Sequence, residues 1–299
     1  MVGNVERVSA SDGSGPQANR FDRGDATAGP PSTPARRAFE AFASLLDGPL
    51  TGLAPWIVLA VFQGPGRLEV AAGVALAMSV AFLIVDRVRG RSVKLLGVID
   101  VLFFAALVVA HFVVDEAGEE WMETWIGEIA NITLFLIAVG SMIARMPFTL
   151  QYAREEVEEE YWDSPAFIRV NYVITGAWAL AFLVATGAGF YGDAVLHDAD
   201  NIWTGWVIQT AAILCALQFT QWYPDVATAR AAAAAGQPSA RAPGLTDLIA
   251  PLATWLIPIG IVTLAMDGGP TWLGIAFIVA GIGANALVRK NGTTEGATA

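Results

Sequence analysis

Asp100, His111 and Glu128 are the residues of this chain whose types and positions could do chemistry, because each is an ionisable group in or at the edge of a long apolar run. A charge inside a membrane helix costs about 2.5–3.5 kcal/mol on insertion scales, so such groups usually face a protein interior or a wet cavity. Asp100 lies about two helical turns into a run that opens near residue 93. His111 lies near the far end of that run, with Asp115 four residues further on the same helical face. Glu128 stands about one turn into the next run and is followed at i+3 by Asn131. Carboxylates and imidazoles exchange protons across physiological pH, so Asp100, His111, Glu128 and Asn131 form a candidate ion or proton path along two consecutive helices. The structural alternative is that Asp100 caps a helix or pairs with a loop arginine, while His111 and Glu128 reach the outer interface.

A second group of candidates lies between residues 144 and 171, where Pro147 and Pro165 bracket an expected amphipathic helix. Phe148, Tyr152 and Trp162 are suited to the inner membrane interface, and Arg145, Arg154 and Arg169 to lipid phosphates or to the nearby acids. With Asn171 they make a candidate inner-face interaction surface; the plain alternative is an ordered connector between spans. The cluster Asp115, Glu116, Glu119, Glu120 and Glu123 either concentrates cations at a pore mouth or is a solvated loop, and it lacks EF-hand spacing. Gln209, Thr210, Gln218, Gln221, Asn171 and Thr175 can hydrogen-bond between helices. Gly176, Ala179, Gly187, Gly274, Gly281 and Gly283 allow close backbone approach.

Several chemistries have no sequence support. There is no nucleotide-binding loop, no zincin helix and no Gly-x-Ser-x-Gly elbow, and two histidines argue against bis-histidine haem ligation. A single cysteine, Cys215, excludes an internal disulfide and a multi-cysteine metal site. No cofactor, no metal and no enzymatic activity are expected. A formal charge of −11 argues against nucleic acid as a partner.

The elements that must position these residues follow from composition. The chain is 55% apolar and 15% charged, and a bilayer core needs about 20 apolar residues per helix. Runs of nearly that length recur near 49–64, 68–86, 93–114, 124–144, 167–190, 202–221, 245–265 and 270–288. These predict an all-α polytopic transmembrane bundle of about eight spans over residues 49–290. Residues 1–34 read as a disordered cytoplasmic tail, 35–48 as an interfacial amphipathic helix carrying Phe39, Phe42, Leu45 and Leu46, and 291–299 as a second cytoplasmic tail. No cleavable signal is expected near Met1. Arg87, Arg89, Arg91 and Lys94 crowd one loop, whereas 115–123 and 191–201 have no Lys or Arg, which predicts both termini in the cytoplasm. Trp121, Trp125, Trp203, Trp206, Trp222 and Trp272 fall near span ends, as interfacial indoles do.

Over residues 49–190 the pattern resembles the bacterial family of intracellular septation protein A. The resemblance rests on Ala-Pro-Trp-Ile-Val-Leu in the first hairpin, the basic loop after the second span, Met-Pro-Phe-Thr-Leu after the fourth, and Pro165 followed by Asn171 and Trp178. It implies a multi-pass bacterial plasma-membrane protein associated with the envelope or with division, and it defines no catalytic residues to carry over. The expected partners are the lipid bilayer and membrane or cell-envelope proteins; the sequence does not set an oligomeric state. The rival expectation is a small-solute or ion transporter or channel that uses Asp100 as its intramembrane charge. A water-accessible cavity at Asp100 would favour transport, and a dry bundle with an exposed 144–171 connector would favour interaction.

Overall fold

The computed structural model describes residues 49–64, 66–198, 201–236, 242–265 and 270–295. The tail expected over 1–34, the interfacial helix expected over 35–48 and the last four residues of the carboxyl-terminal tail lie outside the described residues. Among the described residues the chain is all helical, with no strand. The order is α1 (Pro49–Phe62), α2 (Leu68–Val88), α3 (Leu95–His111), α4 (Glu116–Ile143), α5 (Phe148–Glu156), a 3-10 turn (Glu159–Tyr161) and α6 (Pro165–Phe190). Then come π-helical turns at Tyr191–Leu196 and Trp203–Val207, α7 (Ile208–Ala234), α8 (Leu245–Thr254), α9 (Leu256–Ala265) and α10 (Thr271–Glu295).

By length and composition, four helical stretches can cross a membrane: Leu68–Val88, Glu116–Ile143, Pro165–Leu196 and Leu245–Ala265. Thr51–Phe62, Leu95–His111 and Thr271–Ala286 are apolar but shorter. Side chains such as Val70, Leu102, Leu136 and Leu180 point outward, the arrangement a lipid-facing surface requires and a water-facing one would penalise.

Several boundaries depart from the sequence expectation for local reasons. The acidic stretch expected as a loop over 115–123 is the start of α4: the Asp115 carboxylate accepts from Gly118 N at 3.0 Å, and acids favour the positive end of a helix. Asp115 therefore caps α4 instead of extending the face of α3. The expected span 202–221 runs on as helix to Ala234, because the alanine-rich end propagates well. The expected span 245–265 breaks at Trp255, where Pro258 has no N–H for the Thr254 carbonyl. Residues 291–295, expected as tail, continue α10. Helix α4 stops in a Schellman turn, with Met146 N bonded to Ser141 O at 2.9 Å and Arg145 N to Met142 O at 3.0 Å. Arg145 adopts φ 60, a conformation glycine holds more cheaply.

The core lies where α1, α3, α4, α5 and α6 meet, around Trp178, Phe104, Phe148, Phe182, Leu59 and Leu96, all nearly fully buried. Helix α6 packs against both α4 and α7, and α2 against α1 and α3. At one end of the bundle Gly66 N donates to Glu123 at 2.7 Å, tying the α1–α2 turn to α4. Farther along the chain α9 and α10 pack through glycines: a Cβ on Gly260 would meet the Gly274 carbonyl at 2.5 Å. Gly176, expected at a close contact, faces open space. Accordingly Gly260→Leu should cost roughly 1–3 kcal/mol through overpacking, while Gly176→Leu should leave the thermal transition of the purified protein nearly unmoved. Equal melting of the two variants would contradict this packing.

Candidate functional site

Four helices converge on Asp100, and the reason begins in α1. Trp56 follows Pro55 there and lies buried against Phe103 and Phe104, with ring centroids 4.6 and 5.1 Å away. That packing aims the indole Nε1 at Asp100 Oδ1, to which it donates at 2.7 Å. Asp100 is 2% exposed, so the carboxylate depends on such donors. A hydrogen bond to a charged group contributes about 1.5–3 kcal/mol, comparable to the cost of inserting the charge.

The other oxygen of Asp100 is not taken by the indole. Beside Asp100 is a cavity of about 30 Å³ lined by Thr51, Ser79, Asp86, Lys94, Asp100 and Tyr152, together with apolar groups of α2. About 10–15 Å³ of such volume holds one water, so the space suits roughly two water-sized particles. Tyr152 comes from α5 and its hydroxyl seats against Gly52, where any Cβ would collide with it. Burial first, then the nearby Asp100, Asp86 and Glu155 carboxylates, hold the Tyr152 phenol above its ordinary pKa, so it stays neutral at physiological pH.

The mouth of the cavity is built from charges. Lys94 is buried at the start of α3, and its ammonium bonds Asp86 at 3.0 Å and Glu155 at 3.1 Å while lying 5.2 Å from the Tyr152 ring centroid. Arg91 approaches Glu155 at 4.0 Å, and Gln151 accepts from Leu95 N at 2.7 Å. Helix α5 is thereby fastened to the α2–α3 loop, and the cavity sits beneath the fastening. The arrangement can hold a small polar species beside one carboxylate, with the ion-paired Lys94 ammonium next to it.

The remaining residues of the expected path lie elsewhere. His111 is at the opposite end of α3, about 16 Å along the helix axis from Asp100, where it meets Glu69 at 3.3 Å and Glu119 at 3.0 Å and joins α2, α3 and α4. Glu128 is buried on α4 and lies beside Asp193. A Cβ on Gly189 would collide with Glu128, so the missing side chain makes room for this carboxyl. Asn131 donates to Gln209 at 3.0 Å, and Gln209 donates to Thr204 O at 2.9 Å, so Asn131, Glu128 and Gln209 cluster beside the π-helical turns. The structure thus brings together three separate groups, with the apolar Phe104, Leu107, Ile126 and Leu134 among the core residues of α3 and α4.

The candidate interaction surface divides as well. Phe148, Tyr152 and Asn171 are buried: Asn171 donates to Phe167 O at 3.0 Å, and its carbonyl accepts from Thr149. Arg154 lies over the Trp162 ring at 5.4 Å, and both are half-buried. Arg145 and Arg169 remain exposed. The sequence reading missed Trp56, Thr51, Ser79, Lys94 and Asp193 as site residues. Pro55 inside an apolar helix was the available signal for Thr51 and Trp56, and nothing local marked Asp193.

If the indole is what makes Asp100 tolerable, Trp56→Phe should destabilise the protein by about 1–3 kcal/mol, and the loss should nearly vanish in an Asp100→Leu background. A double-mutant cycle on denaturation in detergent measures this coupling; additive effects would remove the Trp56–Asp100 bond from the account.

Comparison with protein-family models, with curated proteins and with solved structures found no match, so the chemistry of this site rests on its own residues.

Proposed function

We propose that this chain is a multi-pass membrane protein that binds and moves a small cation, either a proton or an alkali metal ion, with Asp100 as the group that carries the charge. The observation behind this reading is the polar cavity beside a buried carboxylate, with Lys94 and Asp86 at its mouth. Its volume of about 30 Å³ argues for an ion and against a larger solute.

The reading includes a topology of eight spans in a bacterial plasma membrane, with both ends of the chain and the 86–94 loop in the cytoplasm. Its support is the contrast between the basic 86–94 loop and the acidic segments at 115–123 and 191–201. The Asp100 cavity would then open toward the cytoplasm. The alternative of an envelope or septation component relies on the 144–171 connector as a docking surface. Burial of Phe148, Tyr152 and Asn171 in the bundle weighs against it.

Two experiments test the proposal. Reporters fused after Lys290 should be cytoplasmic and reporters inserted in the 191–201 loop external; the reverse pattern would discard the topology. In proteoliposomes under an imposed gradient, wild type should carry proton or alkali-ion flux and Asp100→Asn, folded as judged by its melting curve, should lose it. Absence of flux across a proton and alkali-ion panel would reject transport.

A further inference from the structure

Oxygen atoms of Thr51 and Ser79, which line the Asp100 cavity, keep lone pairs that the fold does not use. The Thr51 hydroxyl oxygen is shielded from solvent and has no hydrogen-bond partner. Pro55, four residues on, has no N–H to give to the Thr51 carbonyl. Ser79 spends its hydrogen on the Ala75 carbonyl at 2.8 Å, so its hydroxyl has only lone pairs left to offer. Trp56 engages Oδ1 of Asp100. A buried oxygen without a partner, as on Thr51, is costly unless something satisfies it.

The donor set and the charges define what fits. The available ligands are hydroxyl, carbonyl and carboxylate oxygens, which suit hard cations over thiophilic or imidazole-seeking metals. Lys94 holds Asp86 and Glu155, and Asp100 is the acidic lining group outside that ion pairing, so a bound ion would meet the charge of a single carboxylate. A monovalent ion balances that charge, and a divalent ion would overshoot it. The space admits an ion with about one water and excludes a full hydration shell.

We propose that the cavity between α1, α2, α3 and α5 is a binding site for one sodium-sized alkali cation, with Asp100 as its charged ligand and Thr51 and Ser79 as neutral oxygen ligands. This rests on the transport reading above and specifies its cargo. Lys94, held at the mouth by Asp86 and Glu155, is a tethered positive charge that can take the place of the ion when the site empties.

Equilibrium binding of radioactive sodium to the full chain in detergent tests the site, with choline chloride holding ionic strength constant. Saturable binding of about one ion per chain is expected, lost in Asp100→Asn, weakened at least tenfold in Thr51→Val and restored to near wild type in Thr51→Ser. Melting curves exclude misfolding of each variant. No saturable sodium binding, or binding indifferent to Thr51→Val, overturns the site. If sodium does not bind but Asp100-dependent proton flux persists, transport stands with the proton as cargo and only the sodium site fails; if both are absent, both fail.

Discussion

The carboxylate of Asp100, out of contact with solvent in an apolar helix, is the constraint to which this end of the bundle answers. A buried carboxylate without donors would cost several kcal/mol, and α1 meets that need by placing Trp56 against Phe103 and Phe104 with its N–H at 2.7 Å from Oδ1. The indole can reach only because α1 packs on α3, and α1 can be crossed closely by Tyr152 only because residue 52 is glycine. Removing either feature exposes the charge or fills the cavity. The site and the local packing are therefore the same set of contacts.

Lys94 links that buried charge to the end of the bundle. Its ammonium holds Asp86 of α2 and Glu155 of α5 together, two carboxylates that would repel each other without it. Helix α5, nine residues long, is too short to span and packs against α4 and α6 with Phe148, Leu150 and Tyr152 buried. That placement converts a connector into the wall of a cavity. At the opposite end the same economy recurs, with His111 between Glu69 and Glu119 and with Glu123 on the Gly66 amide. Acidic residues that look like a solvated loop along the sequence are fastenings between helices.

The two polar regions of the interior differ in what they offer. Around Glu128 the polar groups pack on one another: Asp193 lies beside the glutamate, and Asn131, Gln209 and the Thr204 carbonyl form a hydrogen-bonded chain. Around Asp100 a space remains and the Thr51 hydroxyl has no partner. Satisfied networks rigidify and unsatisfied ones bind, which separates a structural region from a ligand site by physical criteria.

Sequence alone was enough for the helical class and for the apolar runs that became helices, since hydropathy is a property of a local window, and it singled out Asp100 as an ionisable group inside such a run. It was also enough for a helix starting after Pro147, because proline acts on its immediate neighbours, but that helix ends at Glu156 and Pro165 opens α6 instead. Tertiary structure alone decided the partners: Trp56 for Asp100 at a separation of 44 residues, Gln209 for Asn131 at 78, and Glu155 for Lys94. It also decided that Tyr152 and Asn171 are core and that Asp193 meets Glu128. Periodicity fixes which face of a helix is apolar but carries no information about which distant helix will lie against it, and the chemistry of this protein is made where distant helices meet.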